Sequence, residues 1–338
     1  MQDAAMDLIP AVAAPEFREI TEWENSPPLS IKGLKGKIVL IDCWTYTCIF
    51  CLRTIPIMRQ LQHKYGKYGL QVIEAHSAEY QFATERDNIK RALARYNITE
   101  IPVAFDINNK TWEAYGNMYW PKHVLIDHNG FIRYEHAGYG GMGDFEDVVV
   151  ELLQEAGNKP VEGKEQENPK DEIYDTYGMH FYGIAPEICV GYSRLRRFGN
   201  NQTVKPDTVN VMVDPGFRDL NVVYLRGKWI WQRERVQIGP GTVDQNAAVI
   251  MKYNAAERVH GIIGTADGKP GRVEIKLDGN HLTKENLGRD ARLENGISVA
   301  NIEWPFMYNL VKTESAVSRE IEIIPRSSNL TFYTFVFG

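Results

Sequence analysis

At 338 residues the chain is longer than a single hydrophobic core usually becomes, so two domains are expected. Hydrophobic residues make up 43% and aromatic residues 11% of it, which is ample for packed globular structure. The formal net charge of −6 and the absence of a Lys/Arg-rich run argue against nucleic acid as a partner.

The beginning of the chain leaves two interpretations open. Residues 1–14 are predicted to form a leader, which lacks the basic segment and apolar segment of an intact signal peptide. The run Ala-Val-Ala-Ala at 11–14 is typical of a processed junction. An ordinary flexible leader and the remnant of a removed signal or membrane segment both fit this pattern.

Residues 15–157 show strands and helices in alternation. The predicted elements, in chain order, are a strand at 29–31, a strand at 38–41, a helix from about 48 to 65, a strand at 70–76, a helix from about 84, a strand at 101–106, a helix at 111–115, strands at 123–127 and 131–137, and a helix at 144–156. This alternation indicates an α/β domain.

A Cys-x-x-Cys pair, Cys48 and Cys51, lies where the strand at 38–41 gives way to a helix. Backbone N–H groups and the positive end of the helix dipole stabilise a thiolate on Cys48. Cys51 follows one turn later, close enough to form a disulfide with Cys48. A zinc site would need a second pair, and c-type haem would need His where Leu52 stands. The pair therefore predicts a redox-active disulfide, with no metal and no further cofactor.

Two more spacings extend the pattern. Asp42 precedes Cys48 by six residues, and Pro56 follows it by eight. Together with the strand and the Cys-x-x-Cys, they resemble the thioredoxin superfamily. The resemblance implies that Asp42 is a partly buried proton acceptor near Cys51, with a pKa raised towards neutrality. It also implies that Pro121, directly before the strand at 123–127, is a cis proline beside the cysteines.

Several segments narrow the resemblance to the DipZ branch of the TlpA-like thioredoxins. They are Ala-Pro-Glu-Phe at 14–17, Trp-Glu-Asn-Ser-Pro-Pro-Leu at 23–29, the residues around both cysteines, and Tyr-Trp-Pro at 119–121. That branch implies reduction of protein disulfides in the periplasm or elsewhere outside the cytoplasm, with electrons from a CcdA/DsbD-type membrane protein, to which a longer form would be tethered. The substrate-binding side chains implied by the resemblance are Trp44, Tyr46, Ile49, Phe50 and Trp120. Phe50 departs from the pattern, since Asn is expected before the second cysteine.

Residues 158–172 are charged and poor in apolar side chains, which predicts a linker. Short alternating segments in 173–338 then predict an all-β sandwich, a jelly roll. Among the predicted strands are 221–225, 229–233, 247–253 and 259–264. This region resembles carbohydrate-binding modules, which implies a glycan partner. Trp229 and Trp231 could stack on sugars, or they could fill the core of the sandwich. The remaining cysteines, Cys43 and Cys189, are predicted to be buried reduced thiols.

Two classes of function therefore compete. One is a thiol–disulfide reductase in which Cys48 attacks and Cys51 resolves. The other is a binding or scaffold protein whose β-domain recognises a glycan or a protein. A thiol peroxidase is the alternative among enzymes, although the chain has no Pro-x-x-x-Thr-x-x-Cys arrangement.

Overall fold

The computed structural model describes residues 12–139, 145–160, 172–178, 184–241 and 246–338. The chain divides into two compact units, Met1–Asp175 and Thr176–Gly338. Most of the predicted leader, and residues 161–171 of the predicted linker, lie outside the described residues, so these two boundaries stay predictions. No helix among the described residues is long and apolar enough to cross a membrane.

The first unit is an α/β domain built on one sheet. Its elements are β1 Val12–Ala13, β2 Trp23–Glu24, β3 Ile38–Trp44, α1 Ile49–Tyr65, β4 Leu70–Ser77, α2 Arg86–Arg95, β5 Val103–Asp106, α3 Lys110–Ala114, β6 Lys122–Ile126, β7 Phe131–Ala137 and α4 Phe145–Glu155. The seven strands pair in the order β1-β7-β6-β3-β4-β5-β2. Strands β3, β4 and β5 run parallel, and the other pairs are antiparallel. Every residue of the central strand β3 is buried, because helices cover both faces of the sheet.

Alternate residues of β3 face two apolar clusters. Ile38 and Leu40 pack with side chains of α1 and α4, among them Met58 and Leu152. Val39, Ile41 and Cys43 face the other side of the sheet, in a cluster with Ile73 and Tyr115. Asp42 belongs by this alternation to the α1 face of the sheet.

The predicted strand at 29–31 is wrong. A 3-10 helix, Lys32–Leu34, begins there, and Ile31 has helical dihedral angles. The Glu16 carboxylate accepts hydrogen bonds from the backbone N–H groups of Ile31 (2.8 Å) and Lys32 (2.9 Å). These bonds satisfy the donors at a helix start, so the segment turns where propensity alone favours extended backbone.

The second unit is mostly β. After α5 Glu172–Tyr177, the strands are β8 Ile188–Cys189, β9 Val209–Met212, β10 Val222–Trp231, β11 Val236–Ile238, β12 Ala248–Thr265, β13 Gly271–Leu277, β14 Asn280–His281, β15 Ala291–Glu294, β16 Ile297–Ile302, β17 Phe306–Pro325 and β18 Leu330–Phe337. They join in one 11-stranded hydrogen-bonded network organised around the long antiparallel pair β12–β17. Strand β12 pairs with both β10 and β18, and β11 links those two. The all-β prediction is confirmed, whereas the jelly-roll arrangement stays a prediction.

Candidate active site

Cys48 is the N-cap residue of α1. Its backbone is extended (φ −91°, ψ 113°), and its Sγ accepts a hydrogen bond from the backbone N–H of Cys51 at 3.3 Å. The side chain is partly exposed, and both cysteines are free thiols in this structure. A helix N-terminus favours negatively charged groups, and the thiolate is the form of cysteine that attacks disulfides.

Cys51 has the opposite environment. It is fully buried, and burial raises the pKa of its thiol well above the ordinary value, with the Cys48 sulfur adding to the effect. A thiol of this kind stays protonated at neutral pH unless a neighbouring group takes its proton. The two cysteines are therefore not interchangeable: the geometry fits Cys48 as the attacking sulfur and Cys51 as the one that acts second.

Asp42 is the acidic group beneath Cys51. Its carboxyl is fully buried, where the sequence led us to expect partial burial, and burial raises its pKa to about 7. The hydroxyl of Thr54, one turn beyond Cys51 on α1, donates a hydrogen bond to Oδ2 at 3.4 Å. The charge of Asp42 in turn contributes to the raised pKa of Cys51. Its role as proton acceptor stays a prediction.

Pro121 follows a cis peptide bond with Trp120. Strand β6 begins at the next residue, Lys122, which pairs with Cys43 near the end of β3. Pro121 therefore lies at the same end of β3 as the turn that carries Cys48. Its carbonyl accepts a hydrogen bond from Gly138 N–H at 2.8 Å.

The residues predicted to contact substrate divide into two groups. Trp44 and Tyr46 are fully buried, each with its ring centroid 5.5 Å from that of His76, and Ile49 is 4% exposed. All three side chains are thus turned into the domain in this structure, and their role in substrate binding stays a prediction. Phe50 is 43% exposed, and Trp120 is partly exposed and stacked on Trp112.

The exposed apolar surface near Pro121 includes residues that sequence reasoning missed. Met118 is 72% exposed and Tyr119 is 64% exposed. Their position directly before the predicted active-site proline, Pro121, is the sequence signal that could have identified them. Arg53 is buried in the first turns of α1, with its guanidinium carbon 5.2 Å from the Phe50 ring centroid and 5.8 Å from that of Tyr139. These contacts fix the Phe50 ring in place.

The Cys48–Cys51 site contains no evident metal ligand set. Among the described residues, no group of three or more His, Cys, Asp and Glu side chains is arranged to hold a metal ion. The chemistry available from the residues present is thiol–disulfide exchange, assisted by a buried carboxyl.

Comparisons with known proteins agree with this chemistry. A family model described as "AhpC/TSA family" matches residues 10–135, and one described as "Thioredoxin like C-terminal domain" matches residues 185–338. Protein DipZ of Mycobacterium tuberculosis is 30% identical over 314 residues, which cover 88% of this chain but 43% of DipZ. The chain thus spans less than half the length of that relative.

Shorter relatives match the first unit alone. The thiol-disulfide oxidoreductase ResA of Bacillus thuringiensis is 30% identical over 125 residues, which cover 37% of this chain and 68% of ResA. A solved structure of a putative thiol:disulfide interchange protein DsbE from Chlorobium tepidum is 26% identical, with coverage of 44% of this chain and 96% of that chain and a TM-score of 0.35.

Proposed function

We propose, from the premise that the chain belongs to the thioredoxin-like thiol–disulfide oxidoreductases, that it reduces disulfide bonds of protein substrates outside the cytoplasm. The observation that carries the proposal is the asymmetry of the two cysteines. Cys48 is partly exposed at a helix N-terminus, and Cys51 is buried within electrostatic reach of Asp42. This arrangement separates an attacking thiolate from a protonated second thiol, as a two-step reduction requires.

In the first step the Cys48 thiolate attacks one sulfur of the substrate disulfide. A Cys48–substrate disulfide forms, and the other substrate sulfur leaves as a thiolate. Cys51 then loses its proton to Asp42 and attacks the Cys48 sulfur, which forms the Cys48–Cys51 disulfide and releases the second substrate thiolate. Two electrons pass from the dithiol to the substrate.

The direction of the reaction follows from what surrounds the Cys48 thiolate. The two residues between the cysteines, Ile49 and Phe50, supply neither a charge nor a side-chain hydrogen bond. The helix N-terminus and the Cys51 N–H stabilise the Cys48 sulfur. A modestly stabilised thiolate gives a reducing protein, whereas a strongly stabilised one gives an oxidant.

The proposal extends to the partners of the protein. A CcdA/DsbD-type membrane protein would return two electrons to the Cys48–Cys51 disulfide, as the resemblance to the DipZ branch implies. A glycan partner for the β-domain has weaker support. Trp229 is fully buried, so it offers no surface on which a sugar could stack. The indole N–H of Trp231 donates a hydrogen bond to the carbonyl of Val190 at 2.7 Å.

Insulin reduction with a dithiol as electron source tests the proposal. We expect Cys48→Ser to abolish turnover and Cys51→Ser to accumulate a mixed disulfide with the substrate. Cys189→Ser, which changes a partly buried cysteine of the other unit, is the matched control and should keep wild-type turnover. Full activity of Cys48→Ser would contradict the proposal. Faster turnover of peroxide than of insulin would favour the peroxidase alternative, and no turnover of either would favour a binding protein.

A further inference from the structure

Four titratable side chains lie side by side across the sheet of the first unit. Asp42 on β3 is paired with Glu74 on β4 and with His123 on β6, and His123 is paired with His136 on β7. Paired residues on neighbouring strands project from the same face of a sheet. Glu74, Asp42, His123 and His136 therefore form one continuous row, called here the ionisable row, on the face covered by α1 and α4.

The helices enclose the ionisable row. Asp42 contacts Thr54 of α1, and the His123 ring packs against Phe145 of α4 at 5.7 Å between centroids. Glu74, Asp42 and His123 have no exposed surface, whereas His136 is partly exposed. The row thus begins in the core beside Cys51 and ends where solvent reaches the domain.

Polar atoms of the row lack aligned hydrogen bonds within the described part of the chain. They are both carboxyl oxygens of Glu74, Oδ1 of Asp42, both ring nitrogens of His123 and Nε2 of His136. His123 Nε2 lies 3.4 Å from Asp42 Oδ1, and the ring centroids of His123 and His136 are 5.9 Å apart. Buried polar groups are usually hydrogen-bonded, so buried ionisable groups that contact one another without well-aligned hydrogen bonds need a functional explanation.

Burial and neighbouring charged groups change the pKa values of the side chains in the ionisable row. Burial and the nearby Asp42 carboxyl raise the pKa of Glu74, because two carboxylates this close cannot both ionise in a dry core. Burial also lowers the pKa of His123 to about 3, so its ring is neutral at rest. The other charged or titratable groups that influence the two carboxyls are Cys51 and Arg59, both on α1. Two buried carboxyls that cannot both ionise therefore lie next to a neutral imidazole.

We propose that the ionisable row is a proton relay that carries the Cys51 proton to solvent when Cys51 resolves the mixed disulfide. This inference rests on the proposed function. Asp42 accepts the proton from the Cys51 thiol, and Glu74 holds the Asp42 carboxyl in place and keeps the second proton of the pair. The proton then passes through the ring of His123 to His136 and into water. One proton leaves Cys51 and one is released at His136, while the Cys51–Cys48 bond forms and the Cys48–substrate bond breaks.

Ellman's reagent separates the two chemical steps. Cys48 attack releases the first thionitrobenzoate, and Cys51 attack on the resulting mixed disulfide releases the second. We expect His123→Phe to slow the second phase at least tenfold at pH 7 and leave the first phase unchanged, since general base catalysis typically contributes more than this. Glu74→Gln should slow the same phase and shift its pH dependence. If the wild type shows no first phase, the proposed function fails; if His123→Phe keeps the wild-type second phase and pH profile, the relay is overturned.

His76→Phe is the matched control. His76 is equally buried on β4, and burial also lowers its pKa to about 3, but it lies outside the ionisable row. Its replacement should leave the pH profile of the second phase unchanged. A slowdown in His76→Phe equal to that in His123→Phe would overturn the relay, because loss of any buried histidine would then suffice.

His136→Phe decides the question if His123→Phe does not fold. Because His136 is partly exposed, its replacement disturbs the core less. We expect the second phase to be slower than in the wild type and free imidazole in the buffer to restore part of its rate. The rate of the first phase should change less than that of the second. A second phase equal to that of the wild type would contradict the exit through His136.

Discussion

Asp42 is expected to destabilise the folded protein at neutral and alkaline pH. Burial raises the pKa of its carboxyl from an ordinary 3.8 to about 7 in the folded state. The unfolded chain therefore ionises at lower pH than the folded chain, and stability is lost as pH rises from about 4 to about 7. A difference of about 3 pH units at about 1.36 kcal/mol each corresponds to about 4 kcal/mol.

The change that tests this is Asp42→Asn, which keeps the shape of the side chain and removes its charge. We expect the free energy of unfolding to rise by up to about 4 kcal/mol at pH 8 and by about 1.5 kcal/mol at pH 5, with no change at pH 3, where the carboxyl is neutral in both states. Denaturant unfolding of the reduced full chain at the three pH values measures these differences. Unfolding of the second unit, which does not contain residue 42, is the internal reference.

The result that would refute this reasoning is a stability difference that does not depend on pH. An equal gain at pH 3 and pH 8 would mean that Asn packs better than Asp whatever its charge. A loss of stability at pH 8 would mean that ionised Asp42 makes favourable interactions that outweigh its burial. The same variant should also slow resolution by Cys51, because the proton acceptor is gone.

Three further predictions follow from the site and the β-domain. Alkylation of the reduced protein at mildly acidic pH should modify Cys48 well ahead of the other cysteines, and preferential modification of Cys51 would reverse their assigned roles. Equilibration with glutathione should give a reduction potential nearer about −270 mV than about −120 mV, and a value above about −180 mV would contradict a reducing role. Trp229→Ala should lower the free energy of unfolding by about 3–5 kcal/mol, because Trp229 is a core residue. Unchanged stability with loss of glycan binding would instead identify Trp229 as a sugar platform.

The elements around the active site were predictable because their signals are local. Four apolar residues followed by the Cys-x-x-Cys indicate β3 and α1, and the predicted strand at 131–137 coincides with β7. The β-domain was predicted less well. The predicted strands at 221–225 and 229–233 are one strand, β10, because Gly227 adopts a positive φ (95°) inside the strand and no turn forms.

The long strand β12 was likewise predicted as two shorter strands. The predicted strands at 247–253 and 259–264 are both part of β12. The hydrophobic pattern breaks between these two segments because the pairing of β12 with β17 shifts register between Tyr253 and His260. A bulge interrupts the alternation of side chains without ending the strand, so the pattern alone cannot distinguish a bulge from a turn.

Sequence patterns are local, and this explains which site residues could be predicted from them. Asp42 was predicted because its spacing from Cys48 is a local property of one strand and one turn. Glu74, His123 and His136 are far from it along the chain, and strand pairing alone brings them to its side. A shift of one residue in the register of β6 would move His123 to the opposite face, where it could not reach Asp42. Their proximity is thus a property of register, which explains why the sequence predicts one buried acid whereas the structure contains a row of four ionisable groups.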